Sequence, residues 1–371
     1  MPDNSGPQAA WRLVQLHDLQ VLQARLAPGV AADDPALAAW VRRWPGRRYV
    51  QSGPDGVEVT LTRRARVRPR ERWWLHALLL LLTLATATVA GCLLTPDDPM
   101  GWARAGGHAI PVPARYNLAA IAPGLWFSVP LLGILGAHEA GHWLLARRHG
   151  MDVSPPWFIP APPLVSPIGT FGAFIRIRSP IINRAALLDM AAAGPLAGFV
   201  LALPVYFAGL WMSEPIAQRV PGAGIAVMLG GGGLPLGESA LLLLLRAASP
   251  LRDASLVLLH PVAAAGWFGL FFTALNLFPV GQLDGGHVVY SLAPGAHRAA
   301  GRATVALLLG MGFFYTGWWM WAALVLAIGR GKLAHPPVFD PGFRLDRRRR
   351  WAAWACIALF ALAWVPIPFR L

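Results

Sequence analysis

The sequence is poor in much of what holds soluble or secreted proteins together. Its two cysteines, Cys92 and Cys356, each sit in an apolar run, so neither a disulfide framework nor a cysteine-based zinc site is expected. Lys332 is the only lysine, and charged residues make up 13% of the chain, against roughly 25% in soluble globular proteins. Internal repeats and low-complexity tracts are missing, which argues against a solenoid, a disordered chain or the duplicated halves of many transporters. An early apolar stretch is missing too. The first long apolar run begins near Trp73, so no signal peptide is expected and the amino-terminal residues are expected to be retained.

What is present is apolar and aromatic. Hydrophobic residues account for 56% of 371 positions, with 17 Trp, and the net charge is +14. That composition suits a lipid bilayer with anionic headgroups, and no nucleic-acid partner is expected. Windows of about 20 apolar residues, the length a helix needs to cross a bilayer, lie near 73–94, 118–147, 190–212, 261–279, 303–329 and 351–368. They predict an all-α polytopic membrane protein with six transmembrane helices. Six simple crossings would put the arginines at 330–350 outside; breaking 303–329 into two half-helices around Tyr315-Thr316-Gly317 returns them to the cytoplasm. Leu234–Leu245, interrupted by Pro235, Gly237 and Glu238, reads as an interfacial or re-entrant piece.

Residues 1–72 predict a small cytoplasmic α+β domain ahead of a membrane domain over 73–371. The spacing of Leu13, Val14, Leu16, Leu19, Val21 and Leu22 suggests one helix, and Asp34-Pro35 opens another running to Val41. Gly56–Thr62 alternates like a strand. Arginines at 63, 64, 66, 68, 70 and 72 then form a juxtamembrane anchor.

The chemistry concentrates in His138-Glu139-Ala-Gly-His142, inside an apolar run. Residues four apart lie only about 40° apart around a helix, so both imidazoles point to one side and can share a Zn²⁺, with Glu139 beside it as general base. Such a site needs a third protein ligand and an open position for water. Asp284, in Asn276-Leu-Phe-Pro279-Val-Gly-Gln-Leu-Asp284-Gly-Gly-His287, is the candidate; Pro279, Gly281, Gly285 and Gly286 would break a helix there and free backbone groups that need a protein-lined or wet cavity. His260 and His287 are alternative ligands. Asn276 could donate to a developing oxyanion or cap the broken helix. Asp189 is expected to pair with an arginine or cap a helix end. Residues 166–178 alternate as a strand or short β-hairpin between spans, and Gly169, Thr170, Phe171 and Gly172 are candidates for taking up an unwound substrate by strand addition. Gly194-Pro-Leu-Ala-Gly198 predicts close packing on the metal-binding helix.

With both the H-E-x-x-H and the N-x-x-P-x-x-x-x-D-G patterns intact, roughly residues 74–369 resemble the site-2 proteases, intramembrane zinc metalloproteases. Gly169-Thr-Phe-Gly-Ala-Phe174, Gly194–Gly198 and His260-Pro261 ahead of Gly266-Trp267 look most like the chloroplast and cyanobacterial branch. The resemblance implies one Zn²⁺ on His138, His142 and Asp284, a catalytic Glu139, and Asn276 near the substrate carbonyl. It implies cleavage in or near the transmembrane segment of a membrane-protein substrate, within the lipid bilayer. A metal or solute transporter using the same His/Asp cluster, or an inactive scaffold, are the alternatives. Acidic residues in the first positions favour a bacterial inner membrane over a plastid.

Overall fold

The computed structural model describes residues 9–16, 19–26, 29–53, 56–64, 71–94, 100–105, 108–113, 121–163, 165–216, 224–229, 232–335, 338–339 and 344–370. The amino-terminal part is an antiparallel sheet of β1 (Ala9–Leu16), β2 (Leu19–Leu26), β3 (Arg47–Gly53) and β4 (Gly56–Arg64) in the order β1-β2-β4-β3, with one short helix, α1 (Pro35–Val41). Asp34 caps α1 by accepting from the Ala36 N–H at 2.7 Å. The helix expected through Leu13–Leu22 is instead a hairpin in which Leu13 faces Leu22 and Val14 faces Val21. The apolar positions do not mark one strand face, since Leu22 is buried while Leu19 and Val21 are only partly so, and pairing on β4 decides for strands, because β2 then has partners on both edges. Leu22, Val59, Leu61, Leu37 and Trp44 form a second core, which Ile182 and Phe339 from later in the chain also enter. Of the arginine run, residues 66, 68 and 70 lie outside the described residues; Arg63 bonds Gln20 at 2.8 Å and lies over the Trp44 ring.

The rest is a helical bundle decorated with strands: α2 (Trp73–Cys92), α3 (Leu125–Arg148), α4 (Arg184–Trp211), α5 (Ala240–Ala247), α6 (Pro261–Asn276), α7 (Asp284–Leu292), α8 (Pro294–Met311), α9 (Gly317–Ile328) and α10 (Arg347–Ala363). Helix α6 is central, with every residue from Pro261 to Phe271 buried. Phe127, Leu131 and Ile134 of α3 and Ala202, Tyr206 and Leu210 of α4 share its core. Two strand pairs, β5 (Met100–Ala105) with β6 (His108–Pro113) and β7 (Trp157–Pro160) with β8 (Thr170–Phe174), and a sheet of β9 (Glu214–Ile216), β10 (Ile225–Leu229), β11 (Gly232–Leu236) and β12 (Leu256–Leu258) join the helices.

The expectation of an all-α protein with six crossing helices is therefore wrong. The described residues form four sheets, and only α2 and α4 are long and apolar enough to cross a membrane. An apolar window is not yet a crossing helix, because breaks and charged ends shorten the helix inside it. The 261–279 window forms a 16-residue helix that ends at Asn276, ahead of Pro279. The 303–329 window is split between Met311 and Gly317, at the break expected around Tyr315-Thr316-Gly317, with the Trp319 indole donating back to the Leu309 carbonyl at 2.9 Å. The 351–368 window yields a 17-residue helix that opens on four arginines and ends before Pro366. Helix α3 carries two histidines, a glutamate and terminal arginines within its 24 residues. The piece read as interfacial, 234–245, divides into the end of β11 and most of α5, whose start Ser239 caps.

Candidate active site

The H-E-x-x-H segment lies in the last three turns of α3, which places both imidazoles on the side facing α4. The two Nε2 atoms are 3.1 Å apart. The Asp284 Oδ2 lies 3.2 Å from the first and 3.3 Å from the second. A carboxylate 146 residues away thus completes a nearly equilateral triangle. Tetrahedral zinc with bonds of about 2.0–2.1 Å separates its donor atoms by about 3.3 Å, so this nitrogen–nitrogen–oxygen set fits Zn²⁺ in both chemistry and spacing. Asp284 is the first residue of α7, where the helix dipole favours a negative charge. Pro279 to Leu283 carry the chain from the end of α6 to that point.

Close helix packing sets the histidine rings. On α4, a side chain at Gly194 would run into the His142 ring and one at Gly198 would crowd His138, while a side chain at Gly141 of α3 would meet the Ala193 carbonyl. The predicted role of Gly194–Gly198 is thereby explained. His142 Nδ1 lies 2.8 Å from the Met190 carbonyl. With Nδ1 donating there, Nε2 presents its lone pair to the site. No sequence signal announced this main-chain acceptor.

Glu139 is buried beside the histidines and bonds to the backbone of Ile175, just past β8. His138, Glu139, Asn276 and the β8 residues Thr170, Phe171 and Gly172 line one cavity of about 680 Å³. Its remaining wall is mostly aromatic and aliphatic, including Phe268, Phe272 and Trp321. β8 pairs only with β7 among the described residues, leaving its other edge open. Gly169 plays a different part from its neighbours. It adopts φ +75° against α2, where a side chain would meet the backbone of Thr86 and Ala87, and its carbonyl accepts from the Thr86 hydroxyl at 2.7 Å.

Other candidates fall elsewhere. His260 caps the opposite end of α6, accepting from the Val262 N–H at 3.3 Å. His287 Nδ1 is engaged with His335 Nε2 at 2.8 Å. Asp189 pairs with Arg349 of α10 and with His149, both at 2.8 Å.

Paired imidazoles, a carboxylate at bonding distance and a second carboxylate beside them in a cavity define a metal-dependent hydrolytic site. The sequence profile of Peptidase family M50 matches residues 126–316, just over half of the chain, and the protein belongs to that family. It is 34% identical over 224 residues, 59% of its own length and 38% of the relative's, to the "Probable zinc metalloprotease EGY2, chloroplastic" of Arabidopsis thaliana. Over 164 residues it is 40% identical to the "Probable zinc metalloprotease EGY1, chloroplastic" of the same plant, covering 43% of this chain and 28% of that one. The resemblance to the chloroplast-type branch holds, although the chain spans less than two-fifths of the length of these relatives. No solved structure matches. The membrane setting of the family agrees with α2 and α4 and with exposed apolar side chains such as Leu81, Val200, Phe313, Phe314 and Met320.

Proposed function

We propose that the protein is an intramembrane zinc metalloprotease that hydrolyses a peptide bond in or near the transmembrane segment of another membrane protein. The observation that carries this is the 3.1–3.3 Å triangle of His138, His142 and Asp284 donor atoms with Glu139 alongside, opening into an apolar cavity. His138, His142 and Asp284 would hold the ion. When bound, zinc supplies Lewis-acid polarisation of the peptide carbonyl and acidifies water. Glu139 takes the proton of the attacking water and delivers it to the leaving nitrogen. Asn276, at the end of α6 in the same cavity, donates its side-chain amide N–H to the developing oxyanion. A helical substrate hides its amides, so it must unwind; the open edge of β8, with Thr170, Phe171 and Gly172, receives it as an added strand. Gly169 sets that strand against α2.

The amino-terminal sheet, whose core is shared only with Ile182 and Phe339 among the later described residues, is proposed as a domain of its own on the cytoplasmic side. The host membrane we propose is a bacterial inner membrane, although the relatives carry chloroplast names. Fractionation of the native host checks this.

The decisive experiment reconstitutes the full chain in vesicles with a membrane-protein reporter. Glu139→Gln is expected to retain zinc and folding and to lose cleavage. Cleavage at the wild-type rate would overturn the mechanism.

A further inference from the structure

Helix α7 carries Asp284 but has only nine residues, too few to be stable by itself. Its orientation must come from what it packs against. One flank of it, one and two turns beyond Asp284, is held by the segment that follows α9. His335 Nε2 meets His287 Nδ1 at 2.8 Å, and the His335 ring stacks on Tyr290 with centroids 4.4 Å apart. The Val338 N–H donates to the Tyr290 hydroxyl at 3.4 Å. The His335 N–H donates to His297 Nδ1, also at 3.4 Å, which ties the same point to α8. All three histidines are buried.

The next described residue, Phe339, leaves the bundle and enters the amino-terminal domain. Its ring lies 4.9 Å from Trp40, 5.2 Å from Trp44 and 6.0 Å from Trp11. Its N–H donates to the Ile181 carbonyl at 3.3 Å, and Ile182 is buried in the same cluster. The segment therefore has one anchor on the helix that bears Asp284 and a second, a few residues away, in an aromatic cage of the amino-terminal sheet. The proposed mechanism uses neither anchor.

We infer that His335 is a positioning residue for Asp284, acting through His287, and that Phe339 makes docking of the amino-terminal domain and metal affinity at the active site interdependent. A caged Phe339 holds His335 in register with His287, which fixes the rotation of α7 and aims the Asp284 carboxylate at the two imidazoles. Releasing the cage loosens all three.

The inference rests on Asp284 being a zinc ligand, and the test separates the two. The full chain in nanodiscs of phosphatidylethanolamine and phosphatidylglycerol is titrated with a zinc chelator of known affinity, and backbone hydrogen exchange is followed in parallel. Asp284→Asn is expected to weaken zinc binding by about 100-fold or more. His335→Ala is expected to weaken it roughly 10–100-fold, with faster exchange confined to 284–292, 333–335 and 338–339. His335→Gln, whose amide still reaches His287, is expected to return it to within about threefold of wild type. Phe339→Ala, which removes a ring that touches no proposed ligand, is expected to cost about 3–10-fold. If Asp284→Asn weakens binding while His335→Ala and Phe339→Ala bind as wild type, the inference falls and the ligand assignment stands. Equal loss in His335→Ala and His335→Gln overturns the hydrogen-bonded role of His335. Unchanged binding in Asp284→Asn removes both.

Discussion

Gly194 faces the ring of His142 so closely that a single methyl group on it would occupy the space of the imidazole. The two helices that bear them meet through small residues on both sides, Gly141 against Ala193 and Gly194 against His142, and the ring of the proposed ligand His142 lies in the notch. The proposed chemistry needs rings held in one orientation, and at His142 the backbone itself does this, through Gly194 and the Met190 carbonyl.

Gly194→Ala is therefore expected to displace His142 and lower zinc affinity by roughly 10–100-fold while leaving the helical content in place. Chelator competition and far-UV circular dichroism on the same preparation check this. Wild-type zinc affinity in a folded Gly194→Ala protein would show that the notch does not set the ring.

The open edge of β8 gives a second expectation. Phe171→Pro and Ala173→Pro remove backbone donors and bend the strand without touching the histidines or Asp284. Cleavage of a membrane reporter should drop roughly 10–100-fold with zinc content unchanged, because a misplaced scissile bond forfeits alignment. Undiminished cleavage would end the strand-addition reading.

Asn276 separates two roles by what it changes. As an oxyanion donor, Asn276→Ala should lower kcat by about 10²–10³-fold with little effect on zinc content or unfolding temperature. A helix-capping role would instead lower the unfolding temperature and leave kcat close to wild type.

Asp189 joins three elements, since Arg349 of α10 and His149 at the end of α3 both reach it at 2.8 Å. Arg349→Ala leaves a largely buried carboxylate short of its strongest partner, and a loss of about 1–3 kcal/mol is expected. Thermal unfolding of the full chain measures it. A double variant, Arg349→Leu with Asp189→Asn, should recover part of that loss, because the uncompensated charge goes with the pair.

Much of the site was legible in one helix. His138 and His142 are four residues apart, and helix geometry alone puts them together; Asp284 follows from the need for a third ligand and from the breaks around it. Other parts could not be read. Leu13 to Leu22 carry a helix-like spacing, and only pairing with β4 makes them a hairpin. The six apolar windows said where lipid-compatible residues lie. The breaks at Pro279 and around Tyr315-Thr316-Gly317 were legible in those windows, but that the last window would open on the four arginines from 347 and stay short of a crossing was not.

What the sequence determined by itself is local: which residues share a helix face, where a helix must stop, and which side chains carry nitrogen or carboxylate donors. Those follow from backbone geometry over a few residues. What only the tertiary structure decided is which distant pieces meet: Asp284 with the histidines across 146 positions, the Met190 carbonyl under His142, β8 against Glu139, and His335 on His287. Such meetings depend on the packing of whole helices, a sum of many weak contacts that no short stretch of sequence encodes.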